Sequence, residues 1–231
     1  MILNLKTIKD TYQPHLNEVE AEAMSRYMRY QFPFLGIRKK DLAPINKLLF
    51  KTYTLPEGEG LKCLAQALFL EEEREYHYMA IRILERQKDT LYACDLYFLE
   101  SLLLQHSWWD SIDDISPNIA GHIIKNRGED ELHRMWSWVK SDNFWLQRAG
   151  LLHQLKFKEQ MNESLLIAMI DELKHEKEFF IRKAIGWILR EYSKTNPDFV
   201  IRFVSNHQLS PLSEREAMKW MKTKRRESDD R

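Results

Sequence analysis

The stretch Ser107-Trp108-Trp109-Asp110-Ser111-Ile112-Asp113 holds an unusual combination of residue types. Asp113 follows Trp109 by four residues, and on a helix positions i and i+4 share a face. A carboxylate beside an electron-rich ring suits a site that binds or stabilises a positive charge. A second pattern lies downstream. Lys183, Trp187 and Arg190, spaced i, i+4 and i+7, put an indole between two cations. Such a stripe can meet phosphates on either side of an aromatic platform. Ile181, Ile185, Ile188 and Tyr192 form a separate apolar stripe on the same segment, which is assigned to the core. Arg148 occupies the position matching Lys183 one repeat earlier, with Lys156 two turns beyond it.

Each residue also has a plainer reading. Tryptophans at helical spacing usually pack in cores, and cations on a helix face are usually only solvated. An aspartate near a helix start often caps it, a role better suited to Asp110 or Ser107 than to Asp113, a full turn inside. Gly150 and Gly186 cost about 1 kcal/mol each against alanine in a helix interior, and close helix packing is the simple reason for them. The eight histidines are scattered and none pairs with a nucleophile. Glu71-Glu72-Glu73 reads as a solvated helix start. There is no phosphate-cradling glycine loop and no HExxH motif, so neither metal nor cofactor is expected.

The elements that position these residues are helical. Period 3.6 runs through the chain and period-two alternation is almost absent. Seven glycines and seven prolines fall mostly between periodic segments, as at Pro14, Pro33, Pro56, Gly128, Asn196-Pro197 and Ser210-Pro211. The pattern predicts helices that include Glu18–Gln31, Asp41–Tyr53, Glu72–Arg86, Ser107–Ile115, Asn118–Asn126, Glu129–Val139, Phe144–Lys156, Phe179–Lys194 and Ser213–Met221. Pro44 falls in the first turn of its predicted helix, with Asp41 as the cap.

The helices repeat. Tyr76 precedes Ala80 by four residues, as Trp145 precedes Ala149 and Phe180 precedes Ala184. Trp109 and Asp113 fill the remaining slot, and successive copies are then 33 to 36 residues apart. Ala217 continues the spacing. This period in an all-helical chain means stacked helix pairs. The expected fold is all-α: a right-handed superhelical solenoid of HEAT/armadillo-like repeats, one domain over residues 1–221, with a concave face on which Trp109, Asp113, Arg148, Trp187 and Arg190 could converge. Residues 222–231 read as a charged, disordered tail. Asp113 stands where sister repeats have alanine, and an acid near a packed helix interface costs several kcal/mol unless paired or solvated.

Bulk properties set the remaining bounds. The 231 residues are 44% hydrophobic and 30% charged, with no net charge, so a basic surface must come from segregation of charge and not from excess. Cys63 and Cys94 match no metal spacing and no disulfide framework, which points to a reducing, cytoplasmic setting. No stretch approaches the ~18 apolar residues of a membrane span, and the first residues carry no export signal.

Several motifs in order also carry a resemblance. They are Ser107-Trp108-Trp109-Asp110-Ser111 with Asp113, Asp142-Asn143 with Trp145-Leu146-Gln147-Arg148-Ala149, Lys183-Ala184-Ile185-Gly186-Trp187, and Leu189-Arg190-Glu191-Tyr192. Arg26-Tyr27-Met28 and Phe34-Leu35-Gly36-Ile37 fit as well. Together, from about residue 18 to 221, they resemble the AlkD-like DNA alkylation-repair glycosylases, a HEAT-like repeat family. The resemblance implies a monofunctional glycosylase of the bacterial cytoplasm. It would act as a monomer on double-stranded DNA bearing purines alkylated at N3 or N7, such as 3-methyladenine and 7-methylguanine, and leave an abasic site. Asp113 would stabilise the sugar cation and position water. Trp109 and Trp187 would pack on the lesion's deoxyribose, with Tyr27 close by. Arg148 and Arg190, with Lys156 and Lys183, would hold the DNA. Two other readings stay open: a non-catalytic repeat scaffold that binds DNA or protein, and a relative that binds DNA without releasing base.

Overall fold

Apolar residues at helical spacing, interrupted by Gly, Pro and Asn, fold as the periodicity predicts. The computed structural model describes residues 1–127 and 131–229, the side chains of 127 and 225–229 excepted. Gly128, the opening of the helix expected from Glu129, and the last two residues of the tail lie outside the described residues. Among the described residues the regular structure is helical, with one isolated parallel bridge between Ile2 and Thr54. No described helix is long and apolar enough to cross a membrane. Two compact units result, Met1–Leu91 and Tyr92–Arg231.

The first unit contains α1 (Leu5–Tyr12), α2 (Glu18–Tyr27), α3 (Lys39–Thr52), α4 (Gly58–Phe69) and α5 (Arg74–Arg86). Helix α1 was not among those predicted, because eight residues give little periodic signal. Asn4 caps it by accepting from the Thr7 N–H at 2.9 Å, and Ile8 and Tyr12, one turn apart, are fully buried. Tyr12 stacks on Tyr76 and donates to Asn46 at 2.6 Å. Helix α3 starts two residues before its predicted bound, with Arg38 at the cap. Pro44 therefore sits inside the helix and offers no N–H to the carbonyl of Lys40.

The loop before α3 is held by α5. Gly36 has φ +87°, and a Cβ there would lie 2.0 Å from the Asn17 carbonyl oxygen, so only glycine fits. The buried Glu75 accepts from the backbone N–H groups of Leu35, Gly36 and Ile37 at 2.9, 2.9 and 3.0 Å. Burial pushes its carboxyl above the usual range while these donors pull it back. Arg74, also buried, lies 3.9 Å over the Phe32 ring and meets His77 Nδ1 at 3.0 Å. An arginine can only donate, so Nδ1 accepts and His77 Nε2–H donates to the Glu71 carbonyl.

The second unit contains α6 (Asp95–Leu104), α7 (Trp109–Ile115), α8 (Gly121–Arg127), α9 (Leu132–Val139), α10 (Phe144–Leu152), α11 (Glu163–Leu173), α12 (Phe179–Tyr192), α13 (Pro197–Asn206), α14 (Pro211–Ala217) and α15 (Lys219–Asp229). Helices α7, α10, α12 and α14 each pack on the next. Ala149, Ala184 and Ala217 are fully buried in this stack, as the repeat register requires. Gly150 and Gly186 admit close approach: a Cβ would lie 2.9 Å from the Met135 carbonyl oxygen and 2.8 Å from that of Ser213. Asn143, Asn162, Asn196 and Ser210 cap their helices through side-chain oxygens.

Further stretches, in the second unit, differ from the sequence expectation. Helices α7 and α8 are joined through a π-helical turn, Ser116–Ala120, and not by a break. Pro117 has no N–H to give the carbonyl of Asp113, four residues back, and the Gly121 N–H reaches five residues back to Ser116. Helix α10 ends at Leu152 and not at Lys156. The His153 ring donates to the Gly150 carbonyl at 2.6 Å, and the Gln154 side chain accepts from the Asn162 N–H at 2.9 Å. The charged run expected to lack order is helical as far as Asp229, consistent with the good helix propensity of Lys, Arg and Glu.

Candidate active site

Asp113 sits one turn into α7, four residues after Trp109, where the stacked sister helices carry buried alanine. Its side chain keeps 16% exposure and Arg148 from α10 keeps 6%. The two form a bidentate pair: Nε donates to Oδ1 and Nη2 to Oδ2, both at 2.8 Å. Arg148 Nη1 donates to the Phe180 carbonyl of α12 at 2.6 Å. Its guanidinium carbon lies 5.8 Å from the Trp187 ring centroid. Burial pushes the Asp113 carboxyl above its ordinary value, and Arg148 draws it partly back.

The first turns of three helices are locked together behind this pair. Trp145 and Phe180 rings are 4.7 Å apart, and Trp108 stands 5.6 Å from each. Farther along, Ser116 donates to the Ala149 carbonyl at 2.5 Å, immediately after Arg148. The helices that carry the acid and its partner are thus joined by an aromatic cluster at their first turns and by a hydrogen bond farther along. Trp109, the first residue of α7, and Trp187, midway along α12, are both partly exposed. Asp113, Arg148, Trp109 and Trp187 therefore belong to three consecutive stacked helices.

The other expected residues fall differently. The sequence pattern put Arg148 among phosphate-binding groups, but its guanidinium is buried and committed to Asp113 and Phe180. Lys183 and Arg190 do flank Trp187, yet both reach one carboxylate, Glu216 of α14, at 3.0 and 2.9 Å. Burial disfavours the charged Glu216, but Lys183, Arg190 and Lys219 hold its carboxyl below the usual range. Lys156 is exposed in the turn after α10. Tyr27 ends α2 in the first unit and is 74% exposed, just before Arg29 and Tyr30, both left-handed with φ 56°. Among the described residues no cluster of three or more His, Cys, Asp or Glu is placed to hold a metal ion.

Glu216 escaped the sequence reading, although a signal was present. Arg148, Lys183 and Glu216 each stand immediately before the small residue of their repeat, at Ala149, Ala184 and Ala217. Charges in one register position of stacked helices become neighbours.

Comparison with known proteins agrees with this architecture. The family model described as DNA alkylation repair enzyme matches residues 8–221. A solved structure described as a predicted DNA alkylation repair enzyme from Enterococcus faecalis is 34% identical, with a TM-score of 0.80, covering 89% of this chain and 96% of that one. A protein from Streptococcus mutans, 22% identical with a TM-score of 0.57 over 78% of this chain and 98% of its own, shares the fold. No curated protein sequence matches the chain.

Proposed function

The chain belongs to the DNA alkylation repair enzyme family, and from that premise we propose that it is a DNA glycosylase for purines alkylated at N3 or N7. The observation that carries this reading is the carboxylate of Asp113, placed in an alanine slot of the repeat and held by Arg148, with the partly exposed Trp109 one turn before it on α7 and Trp187 5.8 Å from the Arg148 guanidinium carbon. An alkylated purine of this kind is a cation. When the bond from C1′ to N9 breaks, the electron pair stays with the base, which leaves neutral. No general acid is needed, and the positive charge passes to the sugar as oxocarbenium character.

A fixed carboxylate is the complement of that charge. Asp113 stabilises the sugar cation and orients the attacking water; the new C1′–oxygen bond forms and the water's proton passes to the carboxylate or to solvent. Trp109 and Trp187 offer π faces to the same developing charge. Arg148 acts as a positioning residue, fixing both oxygens of Asp113 so that little reorganisation is needed as the charge develops. Lys183, Arg190, Lys156 and Tyr27 remain candidates for DNA contact, the first two by exchanging Glu216 for phosphate. Double-stranded DNA is the partner, no cofactor is called for, and the product is an abasic site.

The test is release of free 7-methylguanine from a duplex carrying one such base, by the wild type and by Asp113→Asn. Release by the wild type and its loss in a folded, DNA-binding variant is the expected result. Salt-sensitive DNA binding without release would assign the chain a binding role, and the Asp113–Arg148 pair would then be a structural link between helices.

A further inference from the structure

We propose that the outer face of α3 is a second polyanion-binding surface that grips the DNA backbone through Lys40, Lys47 and Lys51, an assignment that rests on DNA being the partner. The chain has no net charge, so any such surface must be made by segregation, and α3 is where it occurs in the first unit. Leu42, Ile45 and Leu49 bury one side of the helix. The rest of the helix surface exposes Lys39, Lys40, Lys47 and Lys51, with Ala43, Pro44 and Leu48 exposed among them. From Lys40 to Lys51 the row is about 16 Å long at ~1.5 Å per residue, the axial length of about five base pairs of duplex.

Several acids of the first unit are already engaged. Glu20 and Asp41 pair with Arg38, at 3.0 and 3.3 Å. Glu71 pairs with Lys9, Glu59 with Lys62 and Glu85 with Arg82. None of the four lysines of α3 is in an ion pair among the described residues. The row runs into an open polar cleft of about 410 Å³, lined by Lys51, Thr52, Tyr53, Thr54, Glu57 and Arg86. Arg86 is set there by stacking on Phe50, 4.7 Å from its centroid. Glu57 is the one acid in that lining. A row of unpaired lysines that ends beside a further cation and several hydroxyls has the chemistry of a sugar–phosphate track: sequence-independent and salt-dependent.

The experiment is binding of the full chain to a labelled, undamaged duplex by fluorescence anisotropy, titrated between about 50 and 200 mM salt. Three lost phosphate contacts lower the slope of log K against log salt by about 2.7. The wild type should therefore lose about 40-fold more affinity over that range than Lys40→Gln/Lys47→Gln/Lys51→Gln. Single-turnover base release at saturating enzyme should be unchanged, because none of the three lies in the proposed catalytic site. Replacing all three by arginine should restore the slope. If the triple variant does not fold, Lys47→Gln alone should lower the slope by about 0.9. An unchanged slope with normal base release overturns the α3 surface and leaves the glycosylase reading intact. A lowered slope in a protein that releases no base keeps the surface and overturns the glycosylase. A wild type that neither binds nor releases base overturns both.

Discussion

Each unit of the molecule places a carboxylate where a carboxylate is expensive, Glu75 in the first and Asp113 in the second, and the two are treated differently. Glu75, in the first unit, is enclosed and accepts three backbone N–H bonds from a loop that depends on it. Asp113, in the second, is held by an arginine and keeps part of its side chain open. Burial raises the pKa of both. The difference lies in what completes the coordination. Neutral backbone donors saturate Glu75 and leave nothing to react with. A side-chain cation binds both oxygens of Asp113, while part of its side chain stays exposed. Burial alone distinguishes neither; partial exposure and a charged partner set Asp113 apart.

The largest effect should come from Asp113→Asn, which ought to lower base release by about 10³-fold while duplex binding persists. In the wild type, release should also fall as pH drops through a value above the ordinary aspartate range, because the carboxylate is the working form. Over that same window the group's contribution to stability grows, since a raised native pKa favours the protonated fold. An unchanged release rate in the variant would erase the contrast with Glu75.

Glu75→Gln should cost about 3 kcal/mol of stability by urea unfolding, because one carbonyl oxygen and an N–H₂ replace two acceptors facing three donors. Base release per folded molecule should be unaffected; a drop comparable to that of Asp113→Asn would make Glu75 part of the chemistry. His153 supplies a third buried titrating group. Burial pushes its pKa down to about 4, so the native state refuses a proton that the unfolded chain accepts near 6.5. Stability should fall by up to about 3 kcal/mol between those values as acid is added, and His153→Gln should flatten that slope. Finally, Gly186→Ala should destabilise by about 1–2 kcal/mol despite alanine's better helix propensity, because its Cβ would press on the Ser213 backbone between α12 and α14. A stabilised variant would show that the α12–α14 contact gives way.

What the sequence determined follows from local rules. Helical periodicity and a period of 33 to 36 residues specify stacked helices with alanines at their contacts. The same register exposes Asp113 as the acid in an alanine slot and puts Trp109 on its face. These depend on spacing within a few turns or on exact repetition, both of which a linear chain displays. The pairings were decided by tertiary structure. Arg148 reaches Asp113 across 35 residues, Glu216 takes Arg190 across 26, and Glu75 closes on backbone donors about 40 residues earlier. Each depends on the offset and rotation of one helix against the next, which side-chain packing sets and spacing along the chain does not encode. For that reason Arg148 read as a phosphate ligand in the sequence, whereas in the folded protein its guanidinium is paired with Asp113.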